Sequence, residues 1–157
     1  MIQTKNFEPK NNNFCIGYKS EFNFFKNLLL KNKFPKVLLL TGKKGIGKFT
    51  LVNHLMHYYF DRKNYDEHKN IFGRSSSFHS SFLNNLFTNI LYLNGSSFSN
   101  IKIEDIRKLK SNLSFSSINK DKRFIILDDV EIFNINSLNA LLKLIEEPTS
   151  NNFFHFN

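Results

Sequence analysis

Residues 37–53 read VLLLTGKKGIGKFTLVN, and the fold turns on how this stretch is understood. Val37–Leu40 is a short, wholly apolar run, the composition expected of a strand buried on both faces of a parallel sheet. Gly42-Lys43-Lys44-Gly45-Ile46-Gly47-Lys48 follows, and a helical pattern sets in from Phe49. A strand, a glycine-rich loop and a helix in that order, with the spacing G-x-x-x-x-G-K, make a phosphate-binding loop. The glycines let backbone N–H groups turn inward around phosphate oxygens. The helix N-terminus adds a partial positive charge, and Lys48 is placed to reach the terminal phosphates. The alternative is a glycine-rich turn that binds nothing.

The next position breaks the pattern. A Ser or Thr hydroxyl there normally holds magnesium, and this chain has Phe49. Thr50 comes one residue late, which rotates its side chain roughly 100° around the helix, so it is not expected to supply the missing ligand. The stretch Gly42–Thr50 therefore predicts nucleotide binding, with magnesium-dependent hydrolysis weakened from the outset.

A second stretch, Arg123-Phe124-Ile125-Ile126-Leu127-Asp128-Asp129, is an apolar strand ending in acids. Downstream of a phosphate loop, that pattern supplies a magnesium-anchoring carboxylate, the role Asp128 would take. The following position usually carries Glu, which orients or activates the attacking water; Asp129 is one methylene shorter. The alternative is a buried strand ending in a solvated turn.

The whole chain sets the bounds. Its 157 residues suffice for one domain with a real core, and the hydrophobic fraction of 41% is ordinary for a globular protein. No apolar run is long enough to span a membrane, and MIQTKNFEPKNNN at the N-terminus lacks the apolar core of a signal peptide. Cys15 is the single cysteine, which gives no disulfide framework and no cysteine-rich zinc site. A cytoplasmic location is expected. The net charge of +9 is compatible with a nucleic-acid partner. A+T-rich coding, signalled by abundant Lys, Asn, Phe and Ile and no Trp, accounts for it equally well.

In chain order, Met1–Asn13 reads as a loosely held arm and Glu21–Lys31 as a helix with Phe22, Phe25, Leu28 and Leu29 at helical spacing. The helix after the loop is expected over Lys48–Tyr59, with His54 and His57 on its surface rather than on a metal. Asp61–Asn89 reads as a long loop with one short helix near Phe82–Phe87. Ile90–Leu93 is a second strand, Ile103–Leu113 a helix, and Asn119–Lys122 a turn. Asn136–Glu146 is a helix with Leu138, Leu141, Leu142 and Ile145 on one face, capped by Asn136 and stopped by Pro148. Phe153–Phe156 is the last strand.

The run NSLNALLKLIEEPT, Asn136–Thr149, resembles the helix that bacterial clamp-loader subunits of the AAA+ class carry after their acidic strand. IGYKSEF from Ile16, TGKKGIGKFT, IKIEDIRKL and FIILDD agree in order, so the resemblance covers Ile16–Phe156. It implies a three-layer α/β P-loop domain with a mostly parallel sheet. Within the family the pattern is most similar to the delta-prime type of DNA polymerase III subunit; the ATP-hydrolysing gamma/tau type is the near alternative. Gamma/tau subunits keep Ser or Thr after the loop lysine and Asp-Glu on the acidic strand, whereas this chain has Phe49 and Asp128-Asp129.

The resemblance implies a non-hydrolysing subunit that helps load the sliding clamp on primed DNA. ATP is the implied ligand, magnesium is poorly served, and no zinc module is present, since the family's four cysteines are missing. The implied partners are delta and gamma/tau subunits, the sliding clamp and primer–template DNA, with no membrane. The domain reading is an arm over 1–15 and an incomplete AAA+ domain over 16–157. The family's Ser-Arg-Cys segment, lid and collar are absent, as expected of an N-terminal fragment. The family's sheet order then implies that Val37–Leu40 lies beside the fourth strand with an open edge on its other side. An active AAA+ motor, a nucleotide kinase and a scaffold module without nucleotide binding are the alternative functions.

Overall fold

Phe124, Ile125, Ile126 and Leu127 are each 0% exposed, the burial expected of a continuous apolar run at the centre of a parallel sheet. The structure, a computed structural model, describes residues 9–95, 106, 111, 122–146 and 151–156. These residues fall into two compact units: residues up to Phe34 together with Gly42–Phe87, and Pro35–Thr41 together with residues from Thr88 onward.

The first unit is built on two helices. α1 spans Lys19–Leu30 and buries Phe22, Phe25 and Leu29, one stripe at helical spacing. α2 spans Lys48–Phe60 and buries nearly every residue from Phe49 to Tyr58. A short hairpin follows, β2 over Tyr65–Asp66 and β3 over Ile71–Phe72, paired antiparallel. Asp66 shapes its turn by accepting the backbone N–H groups of His68 and Lys69, the local bonding that makes Asp a turn residue. α3 spans Ser77–Leu83. Ser76 caps it, its Oγ accepting the His79 N–H at 3.0 Å, which satisfies one of the donors a helix start leaves open.

Three expectations fail in this unit. The stretch taken for one long loop carries a hairpin, and its helix lies five residues earlier than expected. Strands of two residues are too short to show a period, and the serine run hides Phe78 and Phe82, the i, i+4 pair that α3 buries. His54 and His57, expected on the surface, are both buried. His54 Nδ1 lies 3.0 Å from the Tyr65 hydroxyl. His57 Nε2 lies 3.0 Å from His79 Nδ1, and its ring stacks on Phe72 with centroids 3.6 Å apart. Buried polar rings persist where their nitrogens find partners, and here the partners come from β2 and α3. Finally, Pro9–Cys15, expected as part of a loose arm, is held on α2. Asn53 Nδ2 donates to the Lys10 carbonyl, His54 Nε2 meets the Asn12 carbonyl, and Cys15 is buried.

The second unit is a four-stranded parallel sheet. β1 spans Val37–Leu39, β4 Ile90–Asn94, β5 Arg123–Asp128 and β6 Asn152–Phe156, in the order β1-β6-β5-β4. β5 pairs with β6 in the register Ile125↔Phe154 and Leu127↔Phe156. Those four residues form one core face with Ile106, Phe133 and Leu141. Leu141 belongs to α4, Ile135–Glu146. Its start is set by Asn134, whose Oδ1 accepts the Ser137 N–H at 2.9 Å; the expected cap, Asn136, lies inside the helix. Either asparagine suits a cap chemically, and the packing of Leu141 fixes the register.

β1 has the expected neighbour, pairing with β6. It is not buried on both faces as its composition suggested: Val37 is 40% and Leu39 60% exposed. Val37 and Leu39 share one face, because alternate side chains of a strand point the same way, and that face is the uncovered one. The helix expected over Ile103–Leu113 lies outside the described residues except for Ile106 and Ser111, both helical; Pro148 and residues 119–121 also lie outside them. No helix among the described residues is long and apolar enough to cross a membrane.

Candidate functional site

The loop between β1 and α2 owes its path to glycine. Gly45 and Gly47 adopt φ of 81° and 99°, in the left-handed region that side chains disfavour. At Gly47 a side chain also lacks room, since a Cβ would stand 3.2 Å from the Tyr18 ring. The Tyr18 hydroxyl donates to the Ile46 carbonyl at 2.7 Å, bracing the loop from the residue before α1. The first helical bond, Leu51 N–H to Gly47 O at 3.1 Å, starts α2 immediately after the loop. Lys48 Nζ folds back on the Gly42 carbonyl at 3.2 Å and approaches the Lys43 carbonyl at 3.5 Å. Lys43, Lys44, Gly45 and Ile46 are exposed. A cation held only by its own loop's carbonyls can be drawn off by an anion that offers charge-assisted bonds.

Phe49 is 6% exposed, so the position after the loop lysine presents a buried phenyl and no oxygen. Thr50 is half-buried beside Gly47. Tyr18 was not singled out by the sequence, because no spacing rule links a tyrosine before one helix to the loop before another.

The second unit holds Asp128 and Asp129. Asp128 ends β5 opposite Asn94 of β4, and its Oδ2 accepts the Tyr92 hydroxyl at 2.9 Å and Asn94 Nδ2 at 3.4 Å. Asn94 Nδ2 also donates to the Tyr92 hydroxyl at 2.9 Å. Burial, and next the Asp128 carboxylate, push the Tyr92 hydroxyl well above the usual phenol range, so it stays a protonated donor. Asp129 turns left-handed, φ 51°. Its carbonyl packs so closely on Gly95 that a Cβ there would stand 2.5 Å away, and Gly95 N–H donates to the Asp128 carbonyl. Tyr92 and Asn94 also escaped the sequence reading, since only the parallel register places them beside Asp128.

Magnesium demands a near-octahedral shell of oxygens. In the first unit the Phe49 side chain offers no oxygen; in the second, one oxygen of Asp128 accepts two protein donors. His54 and His57 direct ring nitrogens to protein partners. No group of three or more His, Cys, Asp or Glu among the described residues is placed to hold a metal.

The sequence profile of the family described as DNA polymerase III, delta subunit, matches residues 17–156. The DNA polymerase III subunit gamma of Buchnera aphidicola subsp. Acyrthosiphon pisum is 25% identical over 150 residues, 94% of this chain and 39% of that protein. The DNA polymerase III subunit tau of Bacillus subtilis is 23% identical over 150 residues, 94% of this chain and 25% of its own length. A crystal structure of a DNA polymerase III gamma subunit-related protein from Thermotoga maritima shares the fold. Its TM-score is 0.59 at 20% identity, over 88% of this chain and 39% of that one. The chain thus spans well under half the length of these relatives.

Proposed function

The chain belongs to the family of the DNA polymerase III delta subunit, and we propose that it acts in DNA replication as a clamp-loader subunit of the delta-prime type. In that role it helps other loader subunits place the sliding clamp on primed DNA and does not itself hydrolyse ATP. Phe49 carries the choice of type. Gamma/tau subunits are expected to hold a magnesium ligand there, and here a phenyl ring is packed away from solvent. Asp129 in place of Glu points the same way.

ATP remains the ligand that Gly42–Lys48 would hold. Backbone N–H groups and Lys48 would bind its phosphates, and Tyr18 would keep the loop in shape. The nucleotide would supply binding energy and an ordered loop. A second reading, an ATP-hydrolysing subunit, draws support from the gamma and tau relatives.

The test is to measure ATP turnover of the purified protein and its co-elution with delta and gamma/tau subunits of the same organism. Negligible turnover with co-elution is expected. Turnover near about 1 s⁻¹, within the range of working enzymes, would overturn the delta-prime reading in favour of the hydrolysing one.

A further inference from the structure

Resting on the nucleotide reading of the loop, we propose that Gly42–Lys48 takes a nucleoside triphosphate as its magnesium-free polyanion, with no metal in the site. Two independent observations lead there. In phosphate-loop proteins the ion is held by the hydroxyl after the loop lysine and by the acid ending a neighbouring strand. In this chain the first position is the buried Phe49 ring. At the second, Asp128 Oδ2 is bonded to Tyr92 and Asn94. Those bonds join the C-terminal ends of β4 and β5, giving the carboxylate a structural task that needs no ion.

The cations, in contrast, are all in place. Lys43 and Lys44 are exposed on the loop, and the Lys48 ammonium rests on loop carbonyls. Magnesium ordinarily cancels part of the triphosphate charge. With lysines, the loop's backbone N–H groups and the start of α2 supplying positive potential, the more highly charged metal-free form gains the more from this loop.

Calorimetric titration of the full chain with ATP, in EDTA and then in excess magnesium, tests the proposal. Binding in EDTA at least as tight as in magnesium is expected, and tighter binding in magnesium overturns it. Absence of binding in both buffers overturns the nucleotide reading itself and this proposal with it, so the two failures are distinguishable. Asp128→Asn, checked for folding by circular dichroism, is expected to leave the affinity in magnesium unchanged. A loss of about tenfold, about 1.4 kcal/mol, confined to the magnesium buffer would show that Asp128 anchors an ion. Lys48→Ala is expected to weaken binding in both buffers alike.

Discussion

Acidification to pH 5 should bring this protein close to unfolding. Burial pulls His54 down to about 4, His57 to about 3 and His155 to about 4, from an unfolded value near 6.5. His57 faces His79 and His54, which add like charge, and Asp61, which opposes them weakly. Each ring is neutral in the fold, whereas the unfolded chain takes up protons below about pH 6.5. Stability is therefore fully present above that pH and is lost as the pH falls toward the native values. A group contributes about 1.36 kcal/mol per pH unit over this window, so at pH 5 each ring costs about 2 kcal/mol and the three together about 6 kcal/mol. Against a typical total of about 5–15 kcal/mol, that brings the fold close to its limit. The assay is urea unfolding followed by circular dichroism between pH 7.5 and 5, since the chain has no Trp. His155→Phe removes one of the three groups and should reduce the loss by about one third, or about 2 kcal/mol. A stability that stays flat to within about 1 kcal/mol, or a pH slope unchanged by the substitution, would refute the reasoning.

Gly95→Ala places a Cβ 2.5 Å from the Asp129 carbonyl oxygen and 3.0 Å from the Phe133 ring. Because the first contact is backbone, a loss of about 1–3 kcal/mol is expected, read as a fall in Tm of about 2–4 °C per kcal/mol. Ser76→Ala removes the cap of α3 and should cost about 1 kcal/mol in urea unfolding. Phe49→Thr restores a hydroxyl but deletes a buried ring. A loss of about 3 kcal/mol, near the lower end for truncating a buried Phe, is expected in thermal melts, with no gain in ATP turnover.

What was legible in the sequence followed from how local each signal was. The run Arg123–Asp128 needs burial on both faces, and its composition says so. β1 carries an equally apolar run, yet its Val37–Leu39 face is open among the described residues, and what packs on a face is a property of topology that hydrophobicity cannot report. α2 was placed almost to the residue because a glycine starts it and its apolar content sustains it. Its histidines were misjudged because their partners, Tyr65 and His79, lie 11 and 22 residues away in a stretch too irregular to read. Asn134 and Asn136 are equivalent caps in sequence, and only tertiary packing chooses between them. Spacing marks out Gly42–Lys48 and Asp128 as candidates, whereas nothing in the sequence points to Tyr18, Tyr92 or Asn94. Each acts through a contact that exists only once helices or strands are side by side.

The two metal-binding positions of the motif have structural explanations, and the lysines do not. A phenyl ring at Phe49 is favoured on burial alone, worth about 1.5–3 kcal/mol relative to exposure, so its presence requires no ligand. One oxygen of Asp128 accepts the Tyr92 hydroxyl and the Asn94 amide, bonds that give the residue a place in the fold without an ion. Lys43 and Lys44 lie exposed on a loop whose left-handed glycines are costly to order, and the bonds of Lys48 run to that loop's own carbonyls. Stability would favour a shorter turn with fewer glycines and fewer adjacent like charges. A loop that holds like charges close together in a disfavoured backbone makes physical sense when an anion completes it. On the reading proposed above, Gly42–Lys48 keeps the anion-binding part of the motif, and Phe49 and Asp128 serve the fold.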